Sequence, residues 1–368
     1  MMGKHLVLAG GGHAHMVTMA NIDKICDLGH SVTVIGPSDY HYYSGMGPGM
    51  LGSGYEPDDI RFAIKKNVEN QGGTFIRDSI VKVDPVSREL HLKSGKTVNY
   101  DVVSFNTGSH VDIPVIEGSR ERIYAVKPIE RLYEARSEIE QLAGKQAVTV
   151  AVIGGGPAGA ETAGNVAQLL SKAAFSSRVV LFAGRKLLSK FPCGMQKKSR
   201  KILENSGVSI QEAGHLTAIR DNHLSFDSGH EEDADFMILA TGVHPSSFFR
   251  EAGLQTGPDG GLLVNRFLQC PDYPDIFGGG DCIYYKEQPL DKVGVYAVRE
   301  NPVLFHNIKA FLQNEALQPF DPGGDYLLIF NLGNEKGVLR KNWFQISGGL
   351  AFRIKDWIDR KFMEKFHN

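Results

Sequence analysis

Two short glycine-rich loops, Gly10-Gly11-Gly12-His13-Ala14-His15 and Gly154-Gly155-Gly156-Pro157-Ala158-Gly159, each follow an apolar run and open a helix-like stretch. A glycine loop between strand and helix lets a pyrophosphate approach the free amides at the helix start, and only glycine leaves room for that approach. One such loop says little. Two in one chain constrain it to an α/β fold of two Rossmann-like domains holding two dinucleotides, the arrangement in which a flavin meets a nicotinamide.

Composition narrows the class. The chain has 368 residues and a formal net charge of -2, long enough to bury two or three modest cores. Near-neutral charge without a long basic run excludes a nucleic-acid binder. Residues Met1 to Lys4 lead directly into His5-Leu6-Val7-Leu8-Ala9, so no cleavable leader is expected. Glycines or charges cut every apolar stretch before the roughly 20 residues of a spanning helix. The expected location is cytoplasmic, with peripheral contact on the inner face of the membrane as the alternative. Cys26, Cys193, Cys270 and Cys282 form neither a CxxC pair nor a zinc spacing, so neither a metal site nor a disulfide framework is expected.

Along the chain, 5–10 reads as a strand, 13–28 as a helix and 31–35 as a second strand, an opening βαβ unit. A Gly- and Tyr-rich loop, 37–55, precedes a helix-like 58–68. The alternating runs 74–80, 89–92 and 100–105 suit a small meander before the sheet resumes. After Asn106-Thr107-Gly108 the expected order is helix 128–143, strand 148–153, glycine loop, helix 157–172, strand 178–182, helix 194–206 and strands to 236–240, closing on Ala240-Thr241-Gly242. Because both halves end in a strand followed by Thr-Gly, the second domain is expected as an insertion in the first. The boundaries are then 1–110 with 245–320 for the flavin domain, 111–244 for the nicotinamide domain and 321–368 for a C-terminal amphipathic helical tail. That tail spaces Leu350, Ile354, Trp357, Ile358, Phe362, Met363 and Phe366 helically, with Arg353, Lys355, Arg360, Lys361 and Lys365 between them. Such a stripe suits the membrane interface through 348–366, or docking on the protein itself or a twin subunit in a homodimer.

The two loops differ in detail. In the first, Gly10, Gly12, His13 and Ala14 are the candidate contacts for a dinucleotide pyrophosphate, or the loop is a strand-to-helix turn with no ligand, since His15 occupies the third glycine position. The second strand ends in Gly36 instead of an acid, so ribose contacts fall to Ser38, Asp39 or backbone. The second loop is complete in Gly154, Gly156 and Gly159. Ala183-Gly184-Arg185-Lys186 follows the next strand where an NAD site usually carries an acid. Either Arg185 and Lys186 meet a 2′-phosphate, favouring NADPH over NADH, or they are a solvated loop pair. Thr107, Gly108 and Gly242 stand at the two crossovers.

Over nearly its full length the chain resembles the pyridine nucleotide-disulfide oxidoreductase superfamily, in the branch of type II NADH:quinone and sulfide:quinone oxidoreductases. Closer still, GGGHAH at 10–15, YSGMGPG at 43–49, VGVYAVR at 293–299 and KDWIDRKFM at 355–363 look like the flavoprotein module fused in some organisms to selenophosphate synthetase. The resemblance implies FAD and NADH or NADPH as cofactors, hydride transfer through flavin N5, and a quinone-like acceptor. It lays Asp281, in Gly278-Gly279-Gly280-Asp281-Cys282, against the ribityl chain, and sets Glu161 near the nicotinamide and flavin rings, to orient nicotinamide or relay a proton. The plainer role for Glu161 is a first-turn acid facing a helix dipole. Helix 295–313 would aim its start, at Val293, toward the flavin pyrimidine edge, and Lys292 would add a cation.

Departures matter too. The loop from Tyr40 to Tyr55 has no cysteine pair, which excludes a thiol relay there; its Tyr40, Tyr42 and Tyr43 offer flat surface for a cofactor or quinone, or simply pack. A sulfur- or selenium-donor oxidation would need Cys193 or Cys282 as nucleophile, neither at a convincing equivalent position. The non-enzymatic alternative is an FAD-holding redox module.

Overall fold

The computed structural model describes residues 3–111 and 115–365. Two compact units emerge. The first gathers the chain up to His41, Phe62–His110 and His244–Gly324; the second gathers Tyr42–Arg61, Val111–Val243 and the chain from Asp325 onward.

The first unit is built on a five-stranded sheet, in the order Ile276–Gly278, Val102–Phe105, His5–Ala9, Ser31–Gly36, Thr74–Arg77, every pair parallel. A parallel sheet is covered on both faces, so its strands read as unbroken apolar runs. Leu6, Val7, Leu8 and Ala9 accordingly have no exposed surface. Thr74–Arg77, as an edge strand, and Val102–Phe105, inside the sheet, both join it instead of the meander expected for 74–80 and 100–105. The meander is made by Ile80–Asp84, Glu89–Leu92 and Thr97–Asn99.

The helix expected over 13–28 is broken into a 3-10 turn, His13–His15, and two short helices, Met16–Met19 and Ile22–Cys26. Asn21 leaves helical geometry between them, and its side-chain amide donates to the Val17 carbonyl. Such local competition with the helix ladder is characteristic of asparagine. The helix-like 58–68 is likewise interrupted, because Arg61–Ala63 is extended. The long helix Gly294–Gln313 ends where Asn314 adopts left-handed geometry, as expected over 295–313.

The second unit repeats the plan. Its parallel sheet runs Ile123–Ala125, Phe236–Leu239, Thr149–Ile153, Arg178–Phe182, Val208–Gln211, carrying the helices Arg131–Ala143, Pro157–Leu170 and Cys193–Asn205. A four-stranded sheet adds Val115–Glu117 and the 216–233 strands. The fold is therefore α/β with two Rossmann-like units, the second interrupting the first, and a C-terminal helix.

The chain after Pro322 holds more than a helix. Leu328–Asn331, Gly337–Lys341 and Phe344–Gly348 form an antiparallel sheet on which Gly349–Glu364 packs. Of the expected apolar stripe only Met363 is buried, with Ile354, Ile358 and Phe362 half-buried. Ala351, Lys355, Asp359 and Met363, spaced by four, turn inward, while Leu350 and Trp357 are 61% and 63% exposed. Phe366, the last residue of the expected stripe, lies outside the described residues. Among the described residues no helix is long and apolar enough to cross a membrane.

Candidate functional site

In the first unit, Gly10 and Gly12 lie immediately beyond the strand His5–Ala9. Gly10 has φ +99°, and a Cβ there would stand 2.2 Å from the Asn106 carbonyl oxygen. A Cβ on Gly12 would meet the Asn106 side-chain amide at 2.8 Å. His15, in place of the third glycine, is buried; its Nδ1 lies 2.6 Å from the Gly10 carbonyl oxygen and its Nε2 2.8 Å from Ser104 Oγ. Nδ1 is therefore the protonated nitrogen, and burial pulls the pKa down to about 4. The histidine fastens the loop that a glycine would merely permit.

His13 turns to His41, 2.9 Å between Nδ1 and Nε2, and His41 stacks on Phe62. Ala14 is buried against Gly279, where a Cβ would come within 2.8 Å of the Ala14 methyl. Ser38 accepts the backbone N–H of Tyr40, and Asp39 is held by Arg77. Gly108 has φ +68°, and Thr107 hydrogen-bonds Cys282.

Asp281 sits in the 3-10 turn Gly280–Cys282 and accepts a hydrogen bond from Ser109 Oγ at 2.8 Å. Val293 caps the helix Gly294–Gln313, and that helix also reaches back to the loops: Glu300 accepts the Gly280 N–H and Asn301 accepts the Val17 N–H. Burial raises the Glu300 pKa to about 7. Lys292 is engaged internally, 2.8 Å from Asp259 and donating to the Ile283 carbonyl, so its charge is already compensated. Cys282 is buried against the carbonyl oxygens of Phe105 and Gly279, and desolvation pushes its thiol up to about 11. It is a thiol at neutral pH, poorly suited to nucleophilic attack.

In the second unit the glycine loop is packed tightly. Gly154 has φ +141°, and a Cβ on Gly159 would stand 1.8 Å from the Gly154 carbonyl oxygen. Gly156 caps the helix Pro157–Leu170 with open space at its Cβ position. Gly242 has φ +127°. Arg185 extends into solvent, with Asp227 at 3.9 Å.

Glu161, in the second turn of that helix, accepts the Asn331 N–H at 2.8 Å. Part of its side chain reaches the surface, yet the protein around its carboxyl removes most of its water and raises the pKa to about 7. Lys355 acts against that rise, and Asp359 adds to it. Tyr43 packs on Phe362 at 4.9 Å between ring centroids and donates to Asp359.

Sequence reasoning missed Asn106, Glu300, Lys355 and Asp359. Asn106 stood beside the Thr-Gly crossover, and the i,i+4 spacing of Lys355 and Asp359 was the signal for a shared face.

A family description matches this architecture over most of the chain: the pyridine nucleotide-disulphide oxidoreductase domain covers residues 4–304. The chain belongs to that family. As a member of the pyridine nucleotide-disulphide oxidoreductases it is an oxidoreductase whose cofactors are FAD and a pyridine nucleotide. It is 27% identical to the large subunit of the nitrite reductase (NADH) of Escherichia coli, over 56% of this chain and 24% of that protein. The chain thus spans about a quarter of that relative's length. Against the type II NADH:quinone oxidoreductase of Staphylococcus epidermidis it is 23% identical, over 98% of this chain and 96% of the other. The crystal structure of the sulfide:quinone oxidoreductase of Aquifex aeolicus superposes with a TM-score of 0.78 and 19% identity, covering 100% of this chain and 92% of the other.

The residues present fit such cofactors. Asn106 Nδ2 is buried without a hydrogen-bond partner among the described residues, directly below Gly12 and close to Gly280. A buried donor left unpaired costs about 1–3 kcal/mol, and an anionic group seated over these glycines would satisfy it.

Proposed function

We propose that the chain draws reducing equivalents from NAD(P)H and delivers them to a quinone-like acceptor. FAD, when bound, supplies the redox centre. In the first unit, Gly10, Gly12, His13, Ala14, Ser38, Thr107, Gly108, Gly280, Asp281 and Val293 would hold it, with Asn106 as an added donor. In the second, Gly154, Gly156, Gly159, Arg185 and Gly242 would hold the nicotinamide nucleotide. On this reading 1–110 with 245–320 is the flavin domain and 111–244 the nicotinamide domain. Lys292, neutralised by Asp259, would orient the start of Gly294–Gln313 more than it would supply charge.

The observation that carries the acceptor class is Glu161. Reducing a quinone consumes protons, and Glu161, held by the Asn331 N–H and shifted by burial toward its protonated form, is the carboxyl the family resemblance sets near the rings. The full-length similarity to a type II NADH:quinone oxidoreductase supports the same class. Oxidation of a sulfur or selenium donor has less support, since Cys282 is a buried thiol; Cys193 is exposed at the start of its helix.

The tail, 321–368, would meet the inner membrane surface or a second copy in a homodimer. Trp343, 89% exposed at a hairpin turn, and the outward Leu350 and Trp357 favour the membrane, with Lys341, Arg353 and Lys361 available to acidic headgroups.

Stopped-flow mixing under argon tests this reading. NADPH or NADH should bleach the yellow protein, and a short-chain quinone should restore its colour. FAD binding without bleaching leaves the redox-module alternative; bleaching by sulfide that C193S or C282S abolishes would favour the sulfur reading.

A further inference from the structure

The helix Gly294–Gln313 packs against both segments of the first unit proposed to contact FAD: the 3-10 turn His13–His15 of the glycine loop, and the 3-10 turn Gly280–Cys282 that carries Asp281. Two consecutive residues of that helix make polar contacts to these segments. Glu300 Oε2 accepts the Gly280 N–H at 2.5 Å, and Asn301 Oδ1 accepts the Val17 N–H at 2.8 Å. Successive helix residues point about 100° apart, so each side chain serves a different segment. Both are enclosed, with Glu300 1% and Asn301 4% exposed.

The two donors are first-turn groups. Val17 is the second residue of the helix Met16–Met19 and Gly280 opens its 3-10 turn, positions at which a helix supplies its own N–H with no carbonyl partner. Satisfying them from adjacent positions on one helix does more than pair two amides, because it fixes how far apart their segments stand. The Asp281 turn is also wedged in place. A Cβ on Gly279 would stand 2.8 Å from the Ala14 methyl, 3.1 Å from Glu300 Oε2 and 3.3 Å from Leu304 Cδ2, which leaves no slack toward the glycine loop or the helix. A ligand touching one segment alone gains nothing from a fixed separation. A dinucleotide lying across both does, since segments already held at the bound distance need no ordering when it binds.

We infer that Glu300 and Asn301 are positioning residues for FAD: as two prongs of one clamp they set the separation of the glycine loop and the Asp281 turn that the cofactor spans. The inference rests on the first unit as the flavin-holding one.

Timed gel filtration of the FAD-loaded full-length protein, well below its thermal midpoint, reads cofactor release from the flavin absorbance that stays with the protein. E300L and N301L each remove one prong at similar volume and should release FAD about tenfold faster than wild type, the effect of roughly one lost hydrogen bond. E300Q keeps an acceptor for the Gly280 N–H and should release at the wild-type rate. A role in folding alone would lower thermal midpoints and leave release unchanged. N301L carries the test if E300L does not fold, since it leaves Gly280 its partner. Release from E300Q as fast as from E300L overturns the clamp, because it would assign the effect to charge. Wild-type release from E300L, N301L and G159A overturns the clamp alone. Faster release from G159A, in the other unit, with wild-type release from E300L and N301L removes the flavin assignment and the clamp with it.

Discussion

His15 Nδ1 donates to the carbonyl oxygen of Gly10 at 2.6 Å, tying the first glycine loop to the side chain that replaces its third glycine. Its folded pKa, about 4, lies below the ordinary 6.5, so the unfolded chain binds the proton first as pH falls. The stability due to neutral His15 is complete above pH 6.5 and is lost as pH drops toward 4. We expect H15Q to be less stable than wild type at pH 7.5, by about 1–3 kcal/mol for the broken bonds to Gly10 and Ser104. That gap should narrow toward pH 4.5 in urea titrations. A gap independent of pH would show that His15 is not buried neutral.

Asn106 offers a second handle on the same loop. Its Nδ2 is buried without a partner among the described residues, which penalises the FAD-free protein and favours a ligand that accepts the bond. N106A should therefore leave the FAD-free protein as stable as wild type, or slightly more so, while weakening FAD binding roughly tenfold, the effect of about 1.4 kcal/mol. Fluorescence titration of FAD into both proteins measures it. Equal affinities would dissociate Asn106 from the cofactor.

How far these features were legible in the sequence depends on their range. Parallel strands buried on both faces announce themselves as apolar runs, so Leu6–Ala9 and Val150–Ile153 could be placed from the residues alone. The loops could be placed too, because glycine is required where Gly154 takes φ +141°. The tail could not. Helical spacing gives a stripe but not which side turns inward, and here the sheet Leu328–Gly348 selects the row with Lys355 and Asp359. That sheet itself went unread, since its short strands lie among turns. The break at Asn21 reflects a competing side-chain bond that periodicity does not register.

Gly159 separates the two nucleotide sites experimentally. An alanine there would push its methyl to within 1.8 Å of the Gly154 carbonyl oxygen, where the neighbour is backbone and has little freedom to yield. The helix Pro157–Leu170 must then move away from its strand, and overpacking of this kind typically costs 1–3 kcal/mol. We expect G159A to retain FAD, whose contacts are proposed in the other unit, and to lose flavin reduction by NAD(P)H by about tenfold or more. Absorbance at the flavin band and anaerobic reduction rates read the two properties separately. Loss of both together would contradict the assignment of one site to each unit.

The outward residues of the tail distinguish a membrane surface from a second copy of the chain. Trp343 is 89% exposed and Trp357 63%, and interfacial tryptophans favour the headgroup region, whereas a protein interface would bury them against specific partners. Flotation with vesicles containing anionic lipid should recover the wild-type protein, and W343A/W357A should reduce recovery severalfold. Because attraction to acidic headgroups is screened, raising salt should release the wild-type protein progressively. Both residues lie outside the buried row of the helix, so the double variant should keep its FAD and its thermal midpoint. If sedimentation instead shows a dimer that the double variant dissolves, and vesicles leave both proteins in the pellet, the face belongs to a twin subunit.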